Sequence, residues 1–405
     1  MHTPHTDTDT ITPLIARYLD IEQVVQGGGK LPYVMRYHGQ LRVESERAHR
    51  ELSAALKAQK LSVHLLADGK QHALVLTPLP PRPRRSNPWL NLAFFLLTLA
   101  SMLYTGMLYG LEEPLPTTLA SWFSHLGEGL PFAAALLSIL LAHEFGHYLA
   151  ARYHGSEVSL PYFLPLPAPF SPFGTLGAFI QLKEVPRNKK VLFDIGVAGP
   201  LAGLLVAIPV LLLGLQLSTL EPLPRFVAAG DAISLEGNSI LYLLSKYAVF
   251  GQWLPAPQSY AGVPPLLYWA RYLFTGAPSP LGGMDVFLHP VAWAGWAGLL
   301  VTSLNLIPVG QLDGGHILYA LLGKRVRALW PVIVALLAIL GFFYSGWWVW
   351  TFLILFLGRA SAEPLDQVTP LNPARKAVAI LAILLFFLVF TPLPLTLITG
   401  PFGGP

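Results

Sequence analysis

The stretch Leu141-Ala142-His143-Glu144-Phe145-Gly146-His147 puts two imidazoles and a carboxylate inside a run of residues that otherwise belongs in lipid. In a helix, His143 and His147 stand one turn apart on one face, close enough to share a metal. Glu144 sits about 100° round the same helix, within reach of a water at that metal. The HExxH pattern alone fixes three positions and recurs by chance in soluble helices, so its depth matters. The apolar run extends from near Pro131 to about Ala151, and at about 1.5 Å per residue His143 lies roughly 18 Å from its outer end. Ionisable groups that deep face a cavity or a partner and mark a site. The plainer reading is a structural pair of buried histidines.

Composition widens that reading from one helix to the chain. Of 405 residues, 53% are hydrophobic and 12% charged, which describes a polytopic α-helical membrane protein rather than a soluble multidomain enzyme. The formal net charge is +4, and Lys and Arg gather in short clusters beside apolar segments with no basic stripe carrying interleaved aromatics. That suits membrane topology and argues against nucleic acid as a partner. There is no cysteine, so disulfides, thiolate zinc sites and cysteine nucleophiles are excluded and any metal must be held by nitrogen and oxygen. Met1 to Asp20 has neither an apolar signal core nor the acid-poor, Arg-rich character of a transit peptide, so the expected location is a bacterial inner membrane.

Residues 1–80 read as a small soluble α+β domain, with Tyr33–Val43 strand-like, Glu44–Lys60 helix-like, and Leu61–Leu66 and His72–Thr77 paired around Asp68-Gly69. A basic, proline-rich linker, residues 81–88 with Arg82, Arg84 and Arg85, precedes the first apolar span, Trp89 to about Gly110, which puts the N-terminal domain in the cytoplasm. Residues 89–400 form the transmembrane part, with a catalytic core at about 131–323. Further spans are expected at 131–151, 193–217, 290–308, 328–343 and 347–357, and a last one at 377–395. The run 347–357 is short for a crossing, so six or seven spans are expected. Lys324-Arg325-Val326-Arg327 and Arg359 mark further cytoplasmic turns. The stretch 218–288 is expected outside the cytoplasm, with 239–250 at the interface.

Between the second and third spans, residues 160–182 are apolar but broken by five prolines, so they cannot form one helix. Irregular backbone this apolar is tolerated near a membrane where protein or a wet cavity covers it, which predicts a membrane-dipping loop ending in a β-hairpin. The alternative is an ordinary interfacial loop. An exposed strand there, with Gly174, Thr175, Gly177 and Phe179, would receive an unwound substrate backbone as an added strand.

A zinc hydrolase takes three protein ligands and leaves a fourth position for water. The third is sought in Asn305-Leu306-Ile307-Pro308-Val309-Gly310-Gln311-Leu312-Asp313-Gly314-Gly315-His316, at the cytoplasmic end of the span 290–308. Pro308 and Gly310 break the helix, and the diglycine aims the Asp313 carboxylate inward; His316 is the runner-up. His154 and His289 read as polar residues at span ends. Glu144 has the place of a general base toward a zinc-activated water. Asn305 could donate to a developing oxyanion, or hold its span by an interhelical hydrogen bond. Gly199-Pro200-Leu201-Ala202-Gly203 reads as a small-residue packing patch.

With His143-Glu144-Phe145-Gly146-His147, the distant Leu312-Asp313-Gly314-Gly315 and the patch Gly199–Gly203, the chain resembles the site-2 protease family of intramembrane zinc metalloproteases. Phe173-Gly174-Thr175-Leu176-Gly177-Ala178 and the soluble N-terminal domain make it most similar to the branch holding the EGY-type plant chloroplast proteases and their bacterial relatives. The resemblance implies one Zn2+ per chain on His143, His147 and Asp313, base catalysis by Glu144, and single-span membrane proteins as substrates within the lipid bilayer. It implies nothing about oligomeric state. A transporter or zinc carrier would need no glutamate beside the first histidine, and a silent scaffold would be expected to lack Glu144 or a ligand.

Overall fold

The computed structural model describes residues 8–27, 32–81, 86–111, 118–260, 262–358 and 362–400. The arginines 82, 84, 85 and 359, read as topological marks, lie outside the described residues.

The N-terminal unit is built from α1 (Thr8–Ala16), β1 (Leu19–Gln26), β2 (Met35–Leu41), α2 (Ser45–Leu56), β3 (Leu61–Asp68) and β4 (Gln71–Pro78). Its strands run antiparallel in the order β1-β2-β4-β3. Asp68 pairs with Gln71 across Gly69, whose φ of 62° suits glycine. Alternate residues of β3, Leu61, Val63 and Leu65, face α1 and α2 in a core of their own. The hairpin and α2 match expectation. Helix α1 and strand β1 do not appear in the sequence reading, because Asp9-Thr10-Ile11-Thr12 and Leu19-Asp20-Ile21-Glu22 are too polar to show a sustained period.

Among the described residues, three helices are long and apolar enough to cross a membrane: α3 (Pro88–Gly110), the continuous helical stretch Ala120–Tyr153, and α6 (Lys189–Gln216). The second consists of α4 (Leu119–His125), a 3-10 turn, and α5 (Leu130–Tyr153). Side-chain acceptors cap α3 and α6, with Asn87 taking the Trp89 N–H and Asn188 the Val191 N–H. Helix α9 (Pro290–Asn305) packs into the α5–α6 pair, and α10 (Asp313–Leu322) packs on α6. Helices α11 (Trp330–Gly341) and α12 (Gly346–Leu357) form a hairpin, and α13 (Pro373–Val389) closes the bundle. The last helix starts and stops earlier than its apolar run. Asn372 caps it by accepting from the Arg375 N–H, and the chain beyond it becomes strand β10 (Leu395–Thr399).

Between α5 and α6, β5 (Tyr162–Pro165) pairs with β6 (Thr175–Phe179), so the broken apolar segment does end in a hairpin. Helix α3 holds it through a polar face. The Asn91 amide donates to the carbonyls of Leu160 and Pro161 at 2.9 and 3.0 Å. Ser101 Oγ donates to the Gly174 carbonyl, Tyr109 OH to that of Pro172, and the Ala168 N–H to Thr105 Oγ1. Serine, threonine and tyrosine at 101, 105 and 109 recur every four residues, one face of a helix.

The stretch 218–288 carries β7 (Thr219–Pro222), β8 (Ala232–Glu236), α7 (Ile240–Phe250), α8 (Pro265–Thr275) and β9 (Met284–Phe287). Strand β7 pairs with β9, and β8 with β10. A buried ion triad secures this layer, with Lys246 Nζ 3.8 Å from both Glu236 Oε1 and Asp285 Oδ1.

The N-terminal unit is fastened to the bundle at the other end of α6. Residues 365–367 add to the open edge of β3 in parallel, Leu65 N–H donating to the Leu365 carbonyl and Gln367 N–H to the Leu65 carbonyl, both at 2.8 Å. On their other side the Asp366 N–H donates to the Arg187 carbonyl. The fully buried Asp366 carboxylate accepts from the N–H groups of Val368 and Thr369 and from the Thr369 hydroxyl. Glu46 receives Lys190 at 2.6 Å, and that ammonium holds its carboxyl below the usual carboxylate range.

Asp366→Ala is expected to free this edge. Losing charge-assisted acceptance of this kind costs about 1.5 to 3 kcal/mol per bond, so hydrogen exchange at Leu65 and Gln367 should accelerate while Leu74, inside the sheet, stays protected. Unchanged exchange at Leu65 would mean that the strand addition does not depend on Asp366.

Candidate metal centre

The site is assembled where α5, α6 and the start of α10 meet. Three donor atoms converge, with His143 Nε2 and His147 Nε2 3.1 Å apart and Asp313 Oδ2 3.3 and 3.2 Å from them. Both histidines are buried and Asp313 is nearly so. His147 Nδ1 lies 2.7 Å from the Ile195 carbonyl of α6, a contact that puts a proton on Nδ1 and, in the neutral ring, leaves Nε2 as the lone pair. Two acceptors, that nitrogen and the carboxylate, thus face each other at close range in an apolar surround. This arrangement asks for a cation. Ligand atoms of a tetrahedral zinc at about 2.0–2.1 Å lie roughly 3.3 Å from one another, so the triangle fits zinc without rearrangement.

Local sequence explains the convergence. A Cβ at Gly199 would stand 2.1 Å from His147 Nε2, one at Gly203 3.2 Å from His143 Nδ1, and one at Gly146 2.5 Å from the Ala198 carbonyl. The patch Gly199–Gly203 is therefore packing of a particular kind, giving the rings room against α6. On the other side Gly310, at φ 60°, turns the chain after α9, and Gly314 and Gly315 lie so close to the carbonyls of Leu306 and Gly310 that no side chain fits. Asp313 is thereby placed in the first turn of α10.

Among the other residues singled out, Glu144 is buried with Oε2 lacking a hydrogen-bond partner among the described residues. Asn305, the last residue of α9, has Nδ2 3.5 Å from His143 Nε2, beside the triangle. His316 stays outside the converging set and packs against Gly196. Gly174 and Gly177 take φ of 72° and 103°, and Phe179 stacks on Tyr162 at the exposed end of the hairpin. The Thr175 hydroxyl is spent inside the hairpin, donating to the Leu164 carbonyl and accepting from the Gly177 N–H. A cavity of about 270 Å³, lined by Leu136, Leu140, Phe173, Thr175, Gly177 and Leu304, lies between the hairpin, α5 and α9. Leu140 is one turn before His143, and Leu304 adjoins Asn305. Not foreseen was the tie of His154, at the C-terminal end of α5, to Asp194 of α6 and Arg375 of α13. Each alone reads as a polar residue at a span end.

Among curated proteins the chain is similar to the probable zinc metalloprotease EGY1, chloroplastic, of Oryza sativa subsp. japonica, at 30% identity over 75% of this chain and 50% of that protein. EGY1 of Arabidopsis thaliana is 29% identical over 74% of the chain and 52% of its own length. EGY2 of Arabidopsis thaliana is 30% identical over 66% and 43%. The chain thus spans about half the length of the curated relatives it matches. No solved structure matches it. Residues 131–344, just over half of the 405 and including the whole donor triangle, match the model of Peptidase family M50, and the chain belongs to that family.

Proposed function

We propose that this protein is an intramembrane zinc metalloprotease that hydrolyses peptide bonds of membrane-spanning, single-span protein substrates. The observation that carries the reading is the triangle of His143, His147 and Asp313, with the buried Glu144 oxygen that has no hydrogen-bond partner among the described residues beside it. His143, His147 and Asp313 would hold one zinc ion, which when bound supplies Lewis acidity and lowers the pKa of water. Glu144 accepts the water's proton and delivers it to the leaving amine. The Asn305 amide donates to the oxyanion that develops on the scissile carbonyl. The Ile195 carbonyl keeps the His147 ring in the tautomer that leaves Nε2 free.

A helical peptide bond is shielded and must be drawn out before attack. We infer that β6 offers its outer edge to the unwound segment, with Gly177 keeping side chains away from the incoming backbone and Phe179 holding the hairpin; Gly174, expected to share this role, instead makes room for α3, where a Cβ would stand 2.7 Å from Met102 Cα. The cavity between hairpin, α5 and α9, one turn along α5 from His143, supports this placement by offering an apolar recess for a side chain near the scissile bond.

We read the chain as a soluble unit at 1–80, a linker at 81–88 and a membrane-embedded part at 89–400. Six or seven passages are inferred. Helices α3, α5, α6, α9 and α13 supply five, and α11 and α12, each of 12 residues and about 18 Å long, supply the remainder. Pairing of β10 with β8 returns the end of α13 to the face where α6 ends, which favours seven. We read the face bearing the N-terminal unit as the cytoplasmic one, and in a bacterium the membrane so oriented is the inner one.

Glu144→Gln should keep parental zinc content and lose cleavage of a membrane substrate by about 10²–10⁴-fold. Metal analysis beside a cleavage assay checks both; retained cleavage would remove Glu144 as base. Asp313→Ala should weaken zinc binding by more than about 100-fold, beyond what loss of an outer partner costs, whereas His316→Ala should not, and equal zinc affinity in the two variants would send the third ligand elsewhere. Gly199→Val should displace the His147 ring and lower zinc occupancy in the folded protein, whereas full occupancy would show that α6 can retreat from α5.

A further inference from the structure

We propose that Asp194 is a positioning residue for the metal centre, held by Arg375 and gripping the end of α5 through His154; this rests on the zinc-binding part of the reading above. The Asp194 carboxylate takes Arg375 Nε on Oδ1 at 2.8 Å and Nη2 on Oδ2 at 2.6 Å, a two-pronged charge-assisted fork. His154 Nε2 lies 2.8 Å from Oδ2 of the same carboxylate. Three helices are therefore tied at one group, with His154 the C-cap of α5, Asp194 in the second turn of α6 and Arg375 in the first turn of α13.

The neighbouring residue makes this tie chemically relevant. The Ile195 carbonyl, one peptide bond from Asp194, is the partner of His147 Nδ1. His147 and His154 share α5 and lie two turns apart. Thus α6 meets α5 twice within two residues, once through the carboxylate at the helix end and once through the carbonyl on the ring. Clearance between the helices is already exhausted, as the positions of Gly146 and Gly199 show. A slide of α6 along α5 would turn the Ile195 carbonyl away from Nδ1 or push backbone into the ring. Arg375 resists that slide from a third direction. An exposed ion pair would contribute little, but here the side chains of His154, Asp194 and Arg375 are only 18%, 23% and 28% exposed, and one carboxylate serves all the contacts.

The test uses the full-length protein in bilayers, with Asp194→Ala, Asp194→Asn, Arg375→Ala, Arg375→Lys and the double variant Asp194→Ala/Arg375→Ala. Zinc affinity is measured by chelator competition, kcat and KM on a membrane substrate, and Tm by thermal unfolding. Asp194→Ala and Arg375→Ala should each weaken zinc binding by about 10–100-fold, the usual effect of losing a group that orients a ligand. In both, kcat should fall while KM changes less than about twofold. Arg375→Lys, which keeps the charge and loses the fork, should recover part of the affinity. The double variant should be no worse than either single one, since both act through one geometry. Parental zinc affinity in Asp194→Ala, additive losses in the double variant, or a fall in Tm at unchanged affinity would each overturn the proposal. If Asp194→Ala does not fold, Asp194→Asn and Arg375→Lys give the same readings. Zinc binding with no cleavage in the parent would instead count against the protease reading and leave this inference standing.

Discussion

The backbone of α6 lies against the histidine-bearing face of α5 so closely that at Gly199 not even a methyl group fits beside the His147 ring. Most of the rest follows from that approach. It lets a main-chain carbonyl, Ile195, serve as the orienting partner of a ring nitrogen, a task that a longer side chain would perform less rigidly. It also leaves one open side, which the chain fills from α10 through the break at Gly310 and the diglycine after Asp313. In lipid there is no hydrophobic force between helices, so close contact must come from small residues and from polar groups that find partners. Here both devices serve the same few residues.

A second requirement is set by the segment between α5 and α6. Its prolines forbid a helix, so its carbonyls need donors beyond those that the hairpin, Ser171 and Thr175 supply. Helix α3 provides them from Asn91, Ser101 and Tyr109, and Thr105 accepts from the loop. The first long apolar helix is thus more than an anchor. Its regularly spaced hydroxyls could be read in the sequence only by someone who already knew that an irregular backbone lay alongside, which is why α3 reads there as a plain span.

What could be read from the sequence was whatever is local. His143 and His147 declare themselves by spacing, the β3–β4 hairpin by Asp68-Gly69, and the turn at Asp313 by its glycines and Pro308. Contacts between residues far apart in the chain left no such trace. The pairing of β8 with β10 joins segments more than 150 residues apart. Asp194, His154 and Arg375 have nothing in common until three helix ends meet. Glycines 199 and 203 were legible as small residues and not as the walls of a ligand site.

These long-range ties sort the molecule into two ends. At one, β7 to β10 and the Lys246 triad bind the end of α6 to the end of α13; at the other, residues 365–369 bind the start of α6 to the start of α13 and to β3. Helix α6 is therefore fixed at both ends relative to α13, and the site lies near the end that also holds the N-terminal unit. That unit contacts the bundle through Glu46 at Asn188 and Lys190, within a few residues of Asp194. An open β3 edge would be a liability for a free sheet; added to by residues 365–367, it becomes the means by which the N-terminal unit sits against the helix that shapes the candidate metal centre. Any ligand or partner that favoured the sheet with this edge empty would have to release residues 365–369, which lie between the β3 edge and the start of α13, a few residues before Arg375 of the fork.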